Sequence, residues 1–587
     1  MTKRWRIQPH DAERIAQLQR TANVSPVVAQ LLLCRGIHDA ATARDFLDAK
    51  LVSLRDPELL PGVDQAAQRI HQAITDKQRT VIYGDYDADG MTGTSILVRC
   101  LSLLGANVHY YVPSRLEEGY GLNTEALTKL KSDVAELVIT VDCCIASVGE
   151  AAHAKEIGLP LIITDHHEFA EDLPDAVATV HPRLPGHSYP FGGLCGAGVA
   201  FKLAWAVCQR ASGAKKVGDR MKSFLMSAIG LAAIGTIADI VPLLDENRIL
   251  VRHGLKSLKA QPPLGLAKLM SVAGVDKKPS LGAEDVAFMI APRLNAAGRL
   301  GQAQLAIELM TTDSAERAEA LAEYIHELNS QRDSLERSIY LAANKQVKEN
   351  FHPEHEPALV LNGRGWHPGV IGIVASRLVD KYHRPVVMIS QDNIGAKPAT
   401  GSARSACGVN LHAALAACTE HLLGHGGHAA AAGLRIEDKN IDAFREAFCE
   451  HVAGEVNEDN LTAEVRIDAE APFSQLTLDT VSQIETLAPF GQSNPRPVLC
   501  CGDIQLPTPP KRMGSGERHL NARLRHGRVT LRAVAFGKGE WADELAGHEG
   551  PLEIAYRPVI NDYQGRRSVE LHLVDWRPCK QQQPACT

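Results

Sequence analysis

The chain has 587 residues, and at about 100–200 residues per domain that length calls for several domains with separate cores, which excludes a peptide or a single small module. Apolar residues make up 45% and charged residues 22%, near globular averages, so wholesale disorder is excluded as well. A formal net charge of −7 is wrong for a uniformly basic nucleic-acid coat but leaves room for a local basic groove on an acidic body.

Residues 1–60 read as an N-terminal helical segment. The first ten carry Lys3, Arg4 and Arg6 without an apolar run, so no secretory signal is expected. The 13 cysteines are scattered without a C-x-x-C pair, which fits a reducing cytoplasm better than a disulfide framework or a zinc ribbon. From 79 to 182, β-rich runs at 80–83, 108–112, 137–141 and 161–164 alternate with helical ones at 92–104, 123–131 and 146–157. This alternation predicts an α/β domain over 61–310 on a parallel sheet covered on both faces, with ligands at the carboxyl ends of the strands. The apolar stretch 224–244 is broken by Asp239 and Pro242 short of the ~18–20 residues of a bilayer span, so a buried core helix and a turn are expected there, and no membrane association.

Residues 311–350 are polar with apolar positions at Leu321, Ile325, Leu328, Leu335, Ile339 and Ala342 and an N-cap at Asp313. That spacing, interrupted by Arg332, predicts an amphipathic helix that either bridges two domains or packs on one. A second α/β domain follows over 351–460, with strands at 357–361 and 385–389 and a helix at 370–380. Short β-like runs between Gly and Pro turns then predict an OB-like β-barrel over 461–578, ahead of a tail at 579–587.

Acidic residues and histidines stand where successive strands end. Asp85, Asp87 and Asp89 follow the first strand in G-D-Y-D-A-D-G, Asp142 ends the run 137–141, and Asp165-His166-His167 ends 161–164. Asp239, in G-T-I-A-D-I-V-P-L, follows the apolar helix. Carboxylates gathered in one crevice must be protonated or neutralised by cations. Oxygen-rich ligation with imidazole suits Mg²⁺ or Mn²⁺, and the chemistry it points to is two ions about 3.5–4 Å apart activating water for phosphoryl transfer. Asp89 and Gly90 equally suit a cap for the helix beginning near 92.

Between 496 and 532 eight basic residues (Arg496, Lys511, Arg512, Arg518, Arg523, Arg525, Arg528, Arg532) face two acids, Asp503 and Glu517, while aromatics are sparse (Phe536, Tyr556, Tyr563, Trp576). An OB-like groove of this kind would track a single-stranded backbone through its phosphates, with binding that falls steeply with salt. No G-x-x-x-x-G-K-[ST] loop is present, so ATP-driven unwinding is not expected of this chain.

The four acidic motifs resemble those of the DHH phosphoesterase superfamily. Adding P-S-R-L-E-E-G-Y-G-L (113–122), A-P-R-L-N-A-A-G-R (291–299), G-W-H-P-G-V-I-G-I-V-A-S-R (365–377), G-S-A-R-S (401–405), G-H-G-G-H-A-A-A-A-G (424–433) and L-A-P-F-G-Q-S-N-P (487–495), the chain resembles the RecJ family of single-strand-specific 5′ to 3′ exonucleases from residue 60 to 577. The resemblance implies a DHH catalytic domain, a bridging helix, a DHHA1 domain that closes over substrate, and an OB-like domain. It implies Asp85, Asp87, Asp142, His166 and Asp239 as ligands of two Mn²⁺ or Mg²⁺ ions, with Asp87 and Asp142 serving both. Asp165 would orient an imidazole and His167 would lie beside the scissile phosphate.

By the same resemblance, Arg115, Ser402 and Arg404 would hold the 5′-terminal phosphate, and Arg293, Asn295 and Arg299 would contact phosphates near the metals. His428 would face the substrate; Arg377 suits substrate contact and a structural role equally. The implied activity is degradation of single-stranded DNA to mononucleotides in recombination and repair, by a cytoplasmic monomer working with single-strand-binding protein and a RecQ-type helicase. Phosphodiesterases for short oligonucleotides or cyclic dinucleotides generally lack the long helix and OB-like domain, and a non-catalytic DNA-binding scaffold would be expected to have lost ligands that are all present here. Cys144 stands where the family usually has Gly, so a slightly different turn is expected without loss of activity.

Overall fold

The β-branched runs of the first half become five parallel strands, Arg79–Gly84, Asn107–Tyr111, Leu137–Val141, Leu161–Thr164 and Ala178–Val180. In this computed structural model, residues 3–114, 118, 121–352, 356–405, 408–456 and 462–579 are described. Apolar strands of this kind need both faces covered, and Leu137–Val141 and Leu161–Thr164 are buried at every position. The sheet order is second-first-third-fourth-fifth, so the winding reverses between Arg79–Gly84 and Leu137–Val141. Such a reversal opens a crevice beyond the carboxyl ends of those two strands, where open α/β sheets place their ligands.

The helix Ala88–Leu103 is buried on almost every side because it lies between this sheet and the helices Gly196–Ser212 and Asp219–Ala238. The last of these starts ahead of the apolar run and reaches 20 residues, long and apolar enough to cross a membrane by length and composition. Its apolar residues from Ala228 to Ile237 are packed inside the domain, as a core helix.

The helix Ala315–Asn350 has 36 residues and is capped by Ser314, whose hydroxyl accepts the Arg317 N–H, rather than by Asp313. Its buried seam runs through Leu321, Ile325 and Leu328, continues through Asn329, Arg332 and Glu336, and ends with Ile339, Ala343 and Val347. Leu335 and Ala342, expected in the seam, are exposed. Arg332 does not interrupt the seam, because its guanidinium bonds Glu336 and Asn329, each at 2.7 Å. Near its start the helix meets the first α/β domain, with Glu319 bonded to Lys268 and His326 to Arg293. Its last turns join Leu359, Leu361 and Trp366 in the core of the second α/β domain. That domain has a mixed five-stranded sheet in which Leu359–Arg364 and Val386–Gln391 are parallel and Ala399–Arg404, Gly424–Gly427 and Ala431–Ile436 add antiparallel.

All of this belongs to one compact unit, Arg55–Val241 with His253–Ala463. The other unit combines Met1–Leu54, Pro242–Arg252 and Glu464–Thr587. Its seven-stranded sheet is not a closed barrel: from Ala469–Glu470 the order runs to Lys511–Met513, with one bridge between Gln505 and Arg525. The chain's first residues do not stand apart as a segment of their own. Strand Arg4–Ile7 pairs with Glu464–Ile467, and Leu18, Val28, Leu31 and Leu32 enter the core of this unit. The motif 487–495 is a socket here: Arg248, fully buried, donates to the carbonyls of Leu487 at 2.8 Å and Ala488 at 3.0 Å, while Asn494 donates to those of Leu487 and Pro489.

Candidate metal centre and substrate cleft

The crevice at the winding reversal is lined by side chains that the strand ends deliver. Asp85 follows Arg79–Gly84 directly and is buried. Asp87 caps the helix Ala88–Leu103, one oxygen taking the N–H groups of Asp89 at 2.8 Å and Gly90 at 3.0 Å. The helix therefore starts four residues earlier than expected, and Asp89 is not its cap. Its carboxylate instead accepts the N–H groups of Gly196 at 2.7 Å and Ala197 at 2.9 Å, at the positive end of the helix Gly196–Ser212. A side chain at Gly235 would strike the Asp89 oxygen at 2.3 Å, so only glycine admits this approach.

Asp142 ends the third strand with φ of +65°, and Asp239 caps the carboxyl end of Asp219–Ala238. His166 Nε2 completes the group, 3.1 Å from Asp142, 3.5 Å from Asp239 and 3.9 Å from Asp89. Three overlapping sets have donor atoms close enough for one ion each: Asp85, Asp87 and Asp142; Asp89, His166 and Asp239; and Asp142, His166 and His167. The five ligands expected from sequence are thus brought together, with Asp89 and His167 added to them.

The electrostatics fit divalent cations. Burial first, then the charges of Asp89, Asp87, Asp239 and Asp85, pushes Asp142 well above the carboxylate range. Burial followed by Asp89 and Asp87 takes Asp239 up to about 8. His166 is pushed down to about 4 by burial, so it is neutral with a lone pair to offer, and its buried Nε2 makes no hydrogen bond among the described residues. A crevice that drives carboxylates toward protonation while keeping an imidazole neutral is built for positive charge from outside.

His167 is prepared differently. Its Nδ1 lies 2.7 Å from Asp165, whose other oxygen takes the Ile145 N–H at 2.9 Å. Burial alone would lower the His167 pKa, but the Asp165 hydrogen bond and the surrounding carboxylates hold it at about 9. A protonated imidazole thus stands beside a neutral one, ring centroids 4.4 Å apart.

The residues expected at substrate separate into groups. Arg115 lies outside the described residues. Ser402 and Arg404 share one face of Ala399–Arg404, hydrogen-bonded to each other at 2.9 Å beneath the first turns of Pro368–Tyr382. A side chain at Gly372 on that helix would come within 2.8 Å of Arg404 and 3.0 Å of Ser402, so the glycine keeps the cradle open. His428 lies in the hairpin joining Gly424–Gly427 to Ala431–Ile436, and after Arg183 its charge helps lower the Glu168 pKa beside the D-H-H loop.

The others are turned to structural partners. Asn295 accepts the Ala88 N–H at 2.8 Å and so braces the Asp87 loop. Arg293 is buried against His326 of the long helix, and Arg299 donates to the Gly369 carbonyl at 2.9 Å. Arg377 bonds Glu336 at 2.8 Å with its guanidinium 4.1 Å from the Tyr340 ring centroid. Cys144 has φ of +87°, the backbone state for which glycine is suited, at a cost of about 1–2 kcal/mol for another residue.

Two residues near the site escaped notice in the sequence. His181 and Arg183 follow the short fifth strand, Ala178–Val180, and approach the D-H-H loop. Polar side chains at a strand end were the signal there too, but a three-residue strand gives little periodicity.

In the other unit, Arg523 and Arg532 are cross-strand partners on the solvent face of the sheet, and Phe536 stands 60% exposed between His519 and His572. Arg496 is instead held inward by Glu485 and the Phe490 ring.

Comparison with known proteins places the DHH family N-terminal domain at residues 79–236, the DHHA1 domain at 355–454 and the RecJ OB domain at 467–575. The chain is 38% identical over 572 residues to the single-stranded-DNA-specific exonuclease RecJ of Bacillus subtilis, covering 97% of this chain and 70% of that one. With the RecJ of Thermus thermophilus it shares 35% over 545 residues, 92% of this chain and 74% of the relative. The crystal structure of Thermus thermophilus RecJ in complex with Mn²⁺ superposes with a TM-score of 0.82 at 32% identity, over 98% of this chain and 80% of that one. The same protein in complex with Mg²⁺ gives a TM-score of 0.76 at 30% identity, over 98% and 79%.

Proposed function

The chain belongs to the RecJ family of single-stranded-DNA-specific exonucleases, and from that premise we propose that it hydrolyses single-stranded DNA from the 5′ end to nucleoside 5′-monophosphates. The observation that carries the reading is the crevice itself, in which Asp85, Asp87, Asp142, Asp239 and His166 converge at the winding reversal.

Those five residues would hold two Mn²⁺ or Mg²⁺ ions, with Asp89 behind them. Such ions supply Lewis-acid activation of water and neutralisation of charge on the phosphate. The chain's own contribution is placement. His167, kept protonated to about pH 9 and oriented by Asp165, donates a hydrogen bond to a scissile phosphate oxygen and stabilises charge developing there. Ser402 and Arg404, at the positive end of the helix Pro368–Tyr382, grip the 5′-terminal phosphate and set polarity. The strand threads between the two α/β domains, too narrowly for a duplex.

The basic face carrying Arg523 and Arg532 holds the trailing strand by its phosphates, and Phe536 stacks on a base. Lacking an ATP-binding loop, the protein acts as a cytoplasmic monomer on strands exposed by a RecQ-type helicase and covered by single-strand-binding protein, in recombination and repair.

The test is digestion of end-labelled single-stranded DNA with Mn²⁺ or Mg²⁺, with Asp142→Ala and duplex controls. Mononucleotides released from the 5′ label by wild type alone are expected. Release from the 3′ label, or cleavage confined to di- to tetranucleotides, would overturn the assignment.

A further inference from the structure

His166 and His167 carry four main-chain hydrogen-bonding groups, and each is held by a side chain. One oxygen of Asp165 takes both N–H groups, at 2.7 and 3.2 Å. The His166 carbonyl accepts from Arg183 Nη2 at 2.7 Å, and the His167 carbonyl accepts from His181 Nε2 at 2.9 Å. His181 is fully buried, and its Nδ1 accepts the Arg183 N–H at 3.0 Å, which fixes Nε2 as the protonated nitrogen. The Phe169 ring packs on His181 at 4.4 Å, and Glu168 holds the remaining arm of Arg183 at 2.5 Å. The register places these groups: Thr164 pairs with Val180, so the residues following each strand lie side by side.

We infer that His181 and Arg183 are positioning residues that fix the angle of His166 and His167 in the metal centre through the main chain. The inference rests on the reading of the acidic crevice as that centre. Rotation of either peptide plane would swing an imidazole away from carboxylates only 3.1–3.5 Å from His166 Nε2. Asp165 secures one edge of the dipeptide and the His181–Arg183 pair secures the other. Partners of this kind orient a metal-binding histidine, and their loss typically costs about 10–100-fold in metal affinity or activity.

The test is titration of the metal-free full chain with Mn²⁺, followed by electron paramagnetic resonance, together with kcat and KM on single-stranded DNA. Arg183→Met and His181→Phe remove the hydrogen bonds at similar size, and each is expected to weaken Mn²⁺ binding about tenfold or more and to lower kcat with little change in KM. Arg183→Lys keeps the charge and one donor, and His181→Gln places an N–H where the imidazole Nε2 lies, so both should recover much of the affinity.

Wild-type Mn²⁺ affinity in the folded Met and Phe variants would overturn the inference, as would a loss confined to KM, which would make Arg183 a DNA contact. If an ablated variant does not fold, Arg183→Gln and His181→Asn decide, because each stays polar but is too short to reach the His166 or His167 carbonyl. Each is expected to weaken Mn²⁺ binding several-fold, and wild-type affinity in both would overturn the inference. Absence of any DNA cleavage by wild type, with Mn²⁺ affinity still dependent on these residues, would remove the nuclease reading and leave this one standing.

Discussion

Arg248 and Asp142 are both charged side chains only 2% exposed, and the protein treats them in opposite ways. Arg248 spreads its donors over the carbonyls of Phe46, Leu487, Thr486 and Ala488, with the Phe46 ring centroid 3.8 Å from its guanidinium. Burial pushes its pKa down to about 9, but every arm is answered by its own chain. Asp142 faces Asp89, Asp87, Asp239 and Asp85, charges of its own sign. A buried charge answered internally is architecture, and one surrounded by like charge marks where something else must bind.

Substitution should split the two cleanly. Asp142→Ala is expected to abolish metal-dependent cleavage, by about a thousandfold or more, since metal activation supplies several kcal/mol. The metal-free variant should be at least as stable as wild type, because removing one carboxylate relieves repulsion. Arg248→Met should do the reverse, destabilising by about 3 kcal/mol or more as buried carbonyls lose their donor, while the folded fraction keeps its kcat. Denaturant melts and single-turnover digestion of both variants measure this. A stable, active Arg248→Met protein would erase the distinction.

The pH dependence separates them next. Asp239 has a folded pKa raised to about 8, above the ordinary value near 4 expected when unfolded. The stability it contributes is complete below about pH 4 and is lost as pH rises through about 8. Metal-free protein should therefore melt several degrees higher at pH 6 than at pH 9, an inversion of ordinary acid sensitivity. Bound Mn²⁺ needs the ionised form and should remove the inversion. Calorimetric scans with and without Mn²⁺ check this, and identical pH slopes would show that the carboxylates are not raised.

These contrasts also explain what the sequence disclosed. The acidic cluster was legible because a parallel sheet converts strand ends, which are local in sequence, into neighbours in space. Arg293 was not, because nothing near it announces that its partner is His326, on another helix. The pairing of Arg4–Ile7 with Glu464–Ile467 joins distant parts of the chain, beyond any local pattern. Leu335 was misplaced because a seven-residue step from Leu328 drifts around a helix of 3.6 residues per turn, and the seam continues instead through Arg332 and Glu336, whose polarity disguised it. Sequence leaves Asp89 open between the acidic cluster and a helix cap because its partners, Gly196 and Ala197, lie on a later helix.

A milder disturbance of a self-sufficient cluster sharpens the rule. Glu336 is buried and accepts from both Arg332 and Arg377, each through its own oxygen. Glu336→Gln keeps the shape but leaves two cations less well answered, and should cost about 1–3 kcal/mol in a denaturant melt with unchanged Mn²⁺ affinity. Weakened Mn²⁺ binding would show that the long helix governs the centre and is more than a strut.

The smallest effect is expected at Cys144, where the two kinds of region meet. Its backbone, with φ of +87°, follows Asp142 at +65°, so the turn that presents a ligand is itself strained. Cys144→Gly would relieve about 1–2 kcal/mol of that strain, against about 0.5–1 kcal/mol of added chain entropy and the loss of a small buried side chain. These terms nearly cancel, so stability within about 1 kcal/mol of wild type and unchanged kcat are expected. Cys144→Val adds a β-branch that this conformation tolerates poorly, and should destabilise by about 2 kcal/mol while weakening Mn²⁺ binding through Asp142. Equal behaviour of the Gly and Val variants would mean that the turn is held from outside, by the Ile145 bond to Asp165, rather than by its own backbone preference.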